Sequence, residues 1–413
     1  MGSHSSPHPF IKRRVLYVAS ERLAKVSSLL PSNRNRSVLV HSLITCLGLM
    51  RSTDRASVEV LRPPLATVRE LCAYHDRDYV DQLLEPVSSS EHVATTVNSN
   101  KEFGLEDDCP PFRGMPEYVQ LVAGASLAAA RALAEGMFDV SICWDGGRHH
   151  AHKSHASGYC YVNDCVLALL LLKRAPPVTR SLNVDGGPRR PRIMYLDLDL
   201  HFSDAVSSAF HASSSSPSSS QLLTLSLHHA APGFFPVSPL SCLPTPESDP
   251  FTLAVPLRSG ASNATYMRLW VNVVERVRAA FQPDYVVVQC GTDALAEDPC
   301  KVGNWSLGGP GGLSWCVERV LSQWGAKVLL LGGGGYNSPN AARSWALITS
   351  VARGSPLPLD TPIPDHAGFP LYAPSFTLDV PAGGVRDENT SETLSELERA
   401  FDPIVESLRT ALN

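Results

Sequence analysis

From Ile193 to Leu200 the chain alternates bulky apolar residues with Asp197 and Asp199, then runs into His201-Phe-Ser-Asp204. Alternation with a period of two is a strand pattern, and it predicts Asp197, Asp199 and His201 on one face where the strand stops. Carboxylates on an apolar strand are costly to bury alone, so backbone amides, an arginine or a cation must face them. The Asp199/His201 pair offers one oxygen and one nitrogen, a donor set that suits a borderline divalent cation such as zinc.

The other strand-like segments lack that alternation. Arg14 to Ala19, Val140 to Cys143, Leu222 to His228, Asp284 to Asp293 and Lys327 to Leu331 are mostly apolar, as strands buried on both faces are. Helical spacing intervenes at 38–50, 66–84, 121–133, 267–281, 315–324 and 391–412, and at Cys165–Leu172, which Asn163 or Asp164 caps. Strands alternating with helices predict an α/β fold, a single domain over 14–413 with a mostly parallel central sheet and helices on both faces. Residues 1–13 read as a disordered polar start, although Met1-Gly2 also fits the loose N-myristoylation pattern. The segments 86–100 and 174–192 read as surface connectors, and Ser213 to Ser220 as a low-complexity loop.

With 413 residues, 44% hydrophobic and 18% charged, the chain has the make-up of a globular enzyme. A net charge of −5 argues against broad electrostatic binding of nucleic acid. Ten cysteines without CxxC pairs read as reduced thiols of an intracellular protein. The apolar run Cys165–Leu172 is far too short to span a bilayer, so no membrane association is expected.

Reactive residues gather at the predicted strand ends. Trp144-Asp-Gly-Gly-Arg-His-His150 follows one strand, Asp293 ends another, and Gly332-Gly-Gly-Gly-Tyr336 follows a third. Ligands of open parallel sheets bind at those ends. Asp199, His201 and Asp293 make three ligands, which leaves a catalytic ion an open position. His149 and His150 can serve as base and acid, with Asp197 and Asp204 to orient them and Tyr336 to donate to an oxyanion. His41, on a predicted helix, reads as a satisfied core histidine. Together these parts predict metal-assisted hydrolysis of an amide.

The segments VHSLI, EFGLEDDCP, GGRHHA, ASGYCYVND, YLDLDLH, SLHHAAPGFFP, GTDALAEDP and LGGGGYN resemble the class I zinc-dependent histone deacetylases, and the match runs from about Val38 to His366. The DDCP and PGFFP loops suggest the branch around histone deacetylase 8 and its fungal relatives. The resemblance implies the arginase-deacetylase fold and hydrolysis of acetyl-lysine in histones or other proteins. Its zinc ligands would be Asp199, His201 and Asp293, with iron(II) as another ion for that site. The catalytic set would be His149, His150, Asp197, Asp204 and Tyr336. A structural potassium would use Asp197, Asp199, His201, Ser226 and Leu227. Gly158, Tyr159, Phe235 and Cys300 would border the acetyl-lysine tunnel, Asp108 would bind the substrate backbone, and Arg36 would lie by an internal channel. Corepressor subunits are implied as partners, and the nucleus, with the cytoplasm as a second compartment, as the location.

Departures from the family pattern are local. HHGDG is replaced by His201-Phe-Ser-Asp-Ala205, and Asp145 and Arg148 stand where small or apolar residues are usual. The latter two are expected to add charge near the tunnel mouth. An acetylpolyamine amidohydrolase is the alternative enzyme, and an acetyl-lysine-binding scaffold, motivated by Phe202 and Ser203, is the alternative outside catalysis.

Overall fold

A computed structural model describes residues 12–86, 100–178, 187–212 and 220–412. Its strands are β1 (Arg13–Val18), β2 (Ala56–Leu61), β3 (Val140–Cys143), β4 (Ile193–Asp197), β5 (Leu222–His229), β6 (Thr252–Leu257), β7 (Tyr285–Gln289) and β8 (Lys327–Leu331). They form one sheet in the order β2-β1-β3-β8-β7-β4-β5-β6. Every pairing is parallel, a firmer result than the mostly parallel sheet expected.

Successive residues of each strand enter opposite layers. Met194, Leu196, Val286, Val288, Val328 and Leu330 pack into one core with the helices Arg36–Cys46, Leu313–Gln323 and Ser338–Ala352. Ile193, Tyr195, Tyr285, Val287, Leu329 and Leu331 pack into the other with Met115–Ala134 and Asp164–Leu172. Because both faces of the central strands β3, β8, β7 and β4 are buried, these strands carry little polarity until their carboxyl ends. In the sheet β3, β8, β7 and β4 are consecutive, so the loops that follow them converge on one place. Those loops carry His149 and His150, Tyr336, Asp293, and Asp199 with His201.

Several boundaries differ from expectation. β4 stops at Asp197 rather than Leu200, so Asp199 and His201 belong to the turns beyond it. The helical pattern over 66–84 resolves into Val68–Leu71 and Arg77–Leu84. Thr67 and Glu70 form a capping box at the first, and Asp76 breaks the chain before the second. The helix over 267–281 begins at Asn263 and crosses a π-helical turn at Trp270–Val274. β2, β6 and the helix Ser338–Ala352 were not read from the sequence. β2 is a half-exposed edge strand, and a small-residue helix has no clear apolar stripe. Residues 1–11 and 213–219, which hold most of the expected disordered start and the serine loop, lie outside the described residues, as do 87–99 of the first connector and 179–186 of the second.

The terminal helix Ser391–Leu412 buries Leu394, Leu397, Phe401, Ile404, Val405 and Leu408. Arg268 reaches Glu398 at 2.7 Å across its edge. Phe401 is fully buried, so Phe401→Ala is expected to cost about 3–5 kcal/mol of stability. Denaturant unfolding checks this, and a cost within ~0.5 kcal/mol would mean that the helix is not an integral part of the core.

Candidate active site and metal centre

Asp199, His201 and Asp293 bring one donor atom each within 4.8 Å of one another. His201 Nδ1 lies 3.2 Å from Asp199 Oδ1 and 2.9 Å from Asp293 Oδ2. The carboxylates are held from behind. Asp199 Oδ2 accepts from Gln289 Nε2 at 2.7 Å and from the Gly334 amide at 2.8 Å, and Asp293 Oδ1 accepts from the Leu200 amide at 2.9 Å. A Cβ on Gly334 would lie 2.3 Å from Asp293 Oδ2, and one on Gly291 would lie 2.3 Å from Asp199 Oδ2. Glycine at both positions lets the backbone close on the ligands.

The donor set fits a divalent cation. Two buried carboxylates converge on one imidazole, with no lysine or arginine bonded to either carboxylate among the described residues. Burial, then the neighbouring charge of Asp199, pushes the Asp293 carboxyl up. Burial pulls His201 down, yet the two carboxylates outweigh it and hold the imidazole at about 10. A bound cation would take the place of those protons.

His149 and His150 lie beside this cluster with their rings 4.0 Å apart. Nδ1 of His149 is 2.8 Å from Asp197 Oδ2 and Nδ1 of His150 is 2.7 Å from Asp204 Oδ1. The two pairs differ. Burial lowers His149, but the charges of Asp197 and Asp199 prevail and hold it up at about 9. Burial and the charge of His149 pull His150 down to about 4. In the metal-free protein, then, one imidazole is charged and its neighbour is neutral at pH 7.

Tyr336 follows the glycine turn after β8, and its amide donates to Asp298 Oδ2 at 2.8 Å. Burial, then the charges of Asp293 and Asp199, hold its phenol well above the ordinary value, so it keeps its proton. Tyr159 lies across from it at a ring separation of 5.7 Å, and Phe235 packs on His150 at 4.9 Å. Tyr159 and Phe235 are 37% and 40% exposed, which places both rings at the rim. Gly158 sits between them at φ +53°, where a Cβ would meet the His150 ring at 2.5 Å and Phe235 at 2.8 Å. Gly158→Ala is therefore expected to reduce kcat/KM for an acetyl-lysine peptide by about 10–100-fold, from steric blockage and backbone strain of about 1–3 kcal/mol. Unchanged kcat/KM would place the substrate elsewhere. Asp108, from the acidic loop, accepts the Gly158 amide at 2.9 Å and ties the two rim loops together. Half-buried Cys300 has its amide bonded to Asp298, the residue that also anchors Tyr336.

Asp145 and Arg148 are not near the tunnel mouth as expected. Both are buried, 3% and 4% exposed. Asp145 accepts from Ser37 at 2.5 Å and pairs with His41 at 2.9 Å, while His41 also meets Tyr17 at 2.7 Å. Arg148 turns back onto the carbonyl of Asp145 at 3.2 Å. The glycine turn, fastened where the Gly147 and Arg148 amides donate to Asp164, directs these side chains inward. With Arg36 they line a small internal cavity. Arg36 donates to the carbonyls of Gly335 and Gly333, at 2.7 and 3.0 Å, and so reaches the turn that carries Tyr336.

Phe202 fills a buried position against His228, ring centroids 4.8 Å apart, and Asp204 still reaches His150. Asp197 and Ser226 are partners in the β4–β5 register, and Leu227 follows on β5, which brings the expected potassium residues alongside the 197–201 segment. Sequence reasoning missed Gln289, Asp298, His152 and Tyr195, whose hydroxyl donates to Asp197 at 2.6 Å. Tyr195 was within reach, since it precedes Asp197 by two residues on a strand. Gln289 and Asp298 act through contacts distant in sequence and gave no local signal.

A sequence profile described as the histone deacetylase domain matches residues 30–352. The chain is similar to a protein named histone deacetylase 8 from Danio rerio, 34% identical over 401 residues covering 97% of this chain and 96% of the relative. It is 35% identical to one of the same name from Xenopus tropicalis, over 88% of this chain and 89% of that protein. To histone deacetylase 1 of Homo sapiens it is 32% identical, over 90% of this chain and 70% of the human one.

Proposed function

Since this chain belongs to the histone deacetylase family and is a lysine deacetylase of the class I, histone deacetylase 8-like branch, we propose that its reaction is carried by the Asp199/His201/Asp293 centre and the two His–Asp pairs beside it. The observation that carries this reading is the convergence of three ligand atoms within 4.8 Å, next to two imidazoles each bonded through Nδ1 to its own carboxylate. We take the metal to be zinc, with iron(II) the other ion that this mixed donor set accepts. When bound, it polarises the acetyl carbonyl and acidifies a water.

The acetyl-lysine stem passes between Tyr159 and Phe235, over Gly158, where apolar walls suit its methylenes. Asp108 accepts a hydrogen bond from the substrate backbone at the rim, and half-buried Cys300 borders the pocket. Neutral His150, oriented by Asp204, takes the proton of the attacking water at Nε2. His149, backed by Asp197, is placed to protonate the leaving nitrogen. The Tyr336 hydroxyl donates to the oxyanion developing on the acetyl group. Arg36 and the internal cavity lie behind this centre. A potassium ion would sit among oxygens of Asp197, Asp199, His201, Ser226 and Leu227. Acetylated histone tails or other acetylated proteins are the substrates, with corepressor subunits as partners. Histone substrates place the work in the nucleus, and other acetylated proteins extend it to the cytoplasm.

The test is steady-state hydrolysis of an acetyl-lysine peptide beside acetylspermidine, with metal content measured on the same sample. Preferential peptide turnover supports the reading. Faster hydrolysis of acetylspermidine would make the protein a polyamine amidohydrolase, and no turnover at full metal occupancy would make it a binding scaffold.

A further inference from the structure

The two His–Asp pairs are built differently. Asp197 is fully buried and its oxygens are taken up inside the protein, Oδ2 by His149 and Tyr195 at 2.8 and 2.6 Å and Oδ1 by the Asp199 amide at 3.0 Å. Asp204 gives Oδ1 to His150 at 2.7 Å, while Oδ2 meets Nε2 of a further histidine, His152, at 3.1 Å. The side chain of His152 is 29% exposed, against 10% for Asp204 and 5% for His150. The row His150–Asp204–His152 therefore runs from the buried centre to the surface.

His152 is held in place independently of Asp204. Its ring stacks on His155 at 4.6 Å and 14°, and its amide donates to the His155 carbonyl at 2.9 Å. The next residue, Lys153, offers its carbonyl to the Asp76 amide at 2.9 Å, and its side chain pairs with the Asp76 carboxylate at 2.9 Å. The other titratable neighbours are Tyr74, which senses the charges of Asp204 and Asp76, and His75, whose Nδ1 lies 3.3 Å from the Lys153 carbonyl. A carboxylate gripped at only one oxygen swings about its Cβ–Cγ bond, and the imidazole it orients swings with it.

We propose that His152 is a positioning residue of the deacetylation reaction: by donating from Nε2 to the second oxygen of Asp204, it fixes the carboxylate against His150 and links that pair to solvent. The proposal rests on the catalytic assignment of His150 above. Charge shared between two imidazoles also means that each receives less of it.

His152→Phe keeps the stack on His155 and removes the donor, whereas His152→Gln returns an N–H to the same place. In His152→Phe, kcat is expected to fall roughly tenfold with KM within about twofold of the parent. The limb of the pH–rate profile that belongs to the His150–Asp204 pair should move to higher pH, because the whole carboxylate charge then favours protonated His150. His152→Gln should restore both. The His150 Nδ1 proton resonance, read by NMR with and without metal, should shift in the Phe variant and return in the Gln variant. Parental kcat, limb and resonance in His152→Phe would overturn the proposal, as would equal impairment of both variants with an unmoved resonance. Should the Phe variant fail to fold, His152→Asn, too short to reach Asp204, replaces it in the same comparison. Lack of turnover in the parent protein would count against the deacetylase assignment, and the resonance would then decide the His152–Asp204–His150 linkage alone.

Discussion

Tyr336→Phe is expected to lower kcat for an acetyl-lysine peptide by about 10²–10³-fold, equivalent to about 2.7–4 kcal/mol, with metal content and fold retained. The hydroxyl is the only group removed, and the ring keeps its place opposite Tyr159. The glycine turn that delivers it is held by the Asp298 bond to the Tyr336 amide, which the substitution leaves intact. The phenol stays protonated across the working range, since burial and two carboxylates hold it well above its ordinary value, so its role is donation and not titration. KM should change little, because the bond strengthens only as charge develops on the acetyl oxygen. A loss below about threefold would remove Tyr336 from the oxyanion role; loss of metal along with activity would move its role to the centre's integrity.

The second large effect is at the metal. Asp293→Ala should abolish turnover and lower metal occupancy in step, since it leaves two protein ligands where three converge. Turnover at the parental rate in Asp293→Ala stripped of metal would exclude the proposed centre. The same site predicts how uptake depends on pH. In the metal-free protein Asp293 is raised by burial and by Asp199, and His201 is raised to about 10 by its carboxylates. Each therefore holds a proton in a range where an isolated carboxyl or imidazole would have begun to lose it. Metal displaces those protons, so affinity rises with pH through neutrality and falls on acidification. Competition titrations with a chelator at several pH values check the sign, and affinity independent of pH would mean that the ligands are already deprotonated.

The α/β class and the helices on both faces could be read because a sheet buried on both sides needs nearly uniform apolar strands. The residues gathered at the strand ends were legible for a related reason: an acid, a histidine pair or a glycine run following such a strand has no role in the core. Period-two spacing was less reliable. It placed Asp197, Asp199 and His201 on one strand face, whereas β4 ends at Asp197 and the ligand function comes from the turns beyond. Asp197 and Asp199 also divide their work, one bonded to His149 and the other converging with His201 and Asp293.

What the sequence by itself determined was the inventory of chemistry and the kind of sheet that presents it, because burial and periodicity act on neighbours in the chain. Only the tertiary structure decided the partners. The order β3-β8-β7-β4 sets Gln289 against Asp199 and the glycine turn against both ligand carboxylates, across separations that no local pattern encodes. It also turned Asp145 and Arg148 inward and split Asp204 between His150 and His152. A charged side chain favours solvent unless the interior supplies its partners. Its place is set by which donors and acceptors the fold brings within about 3 Å.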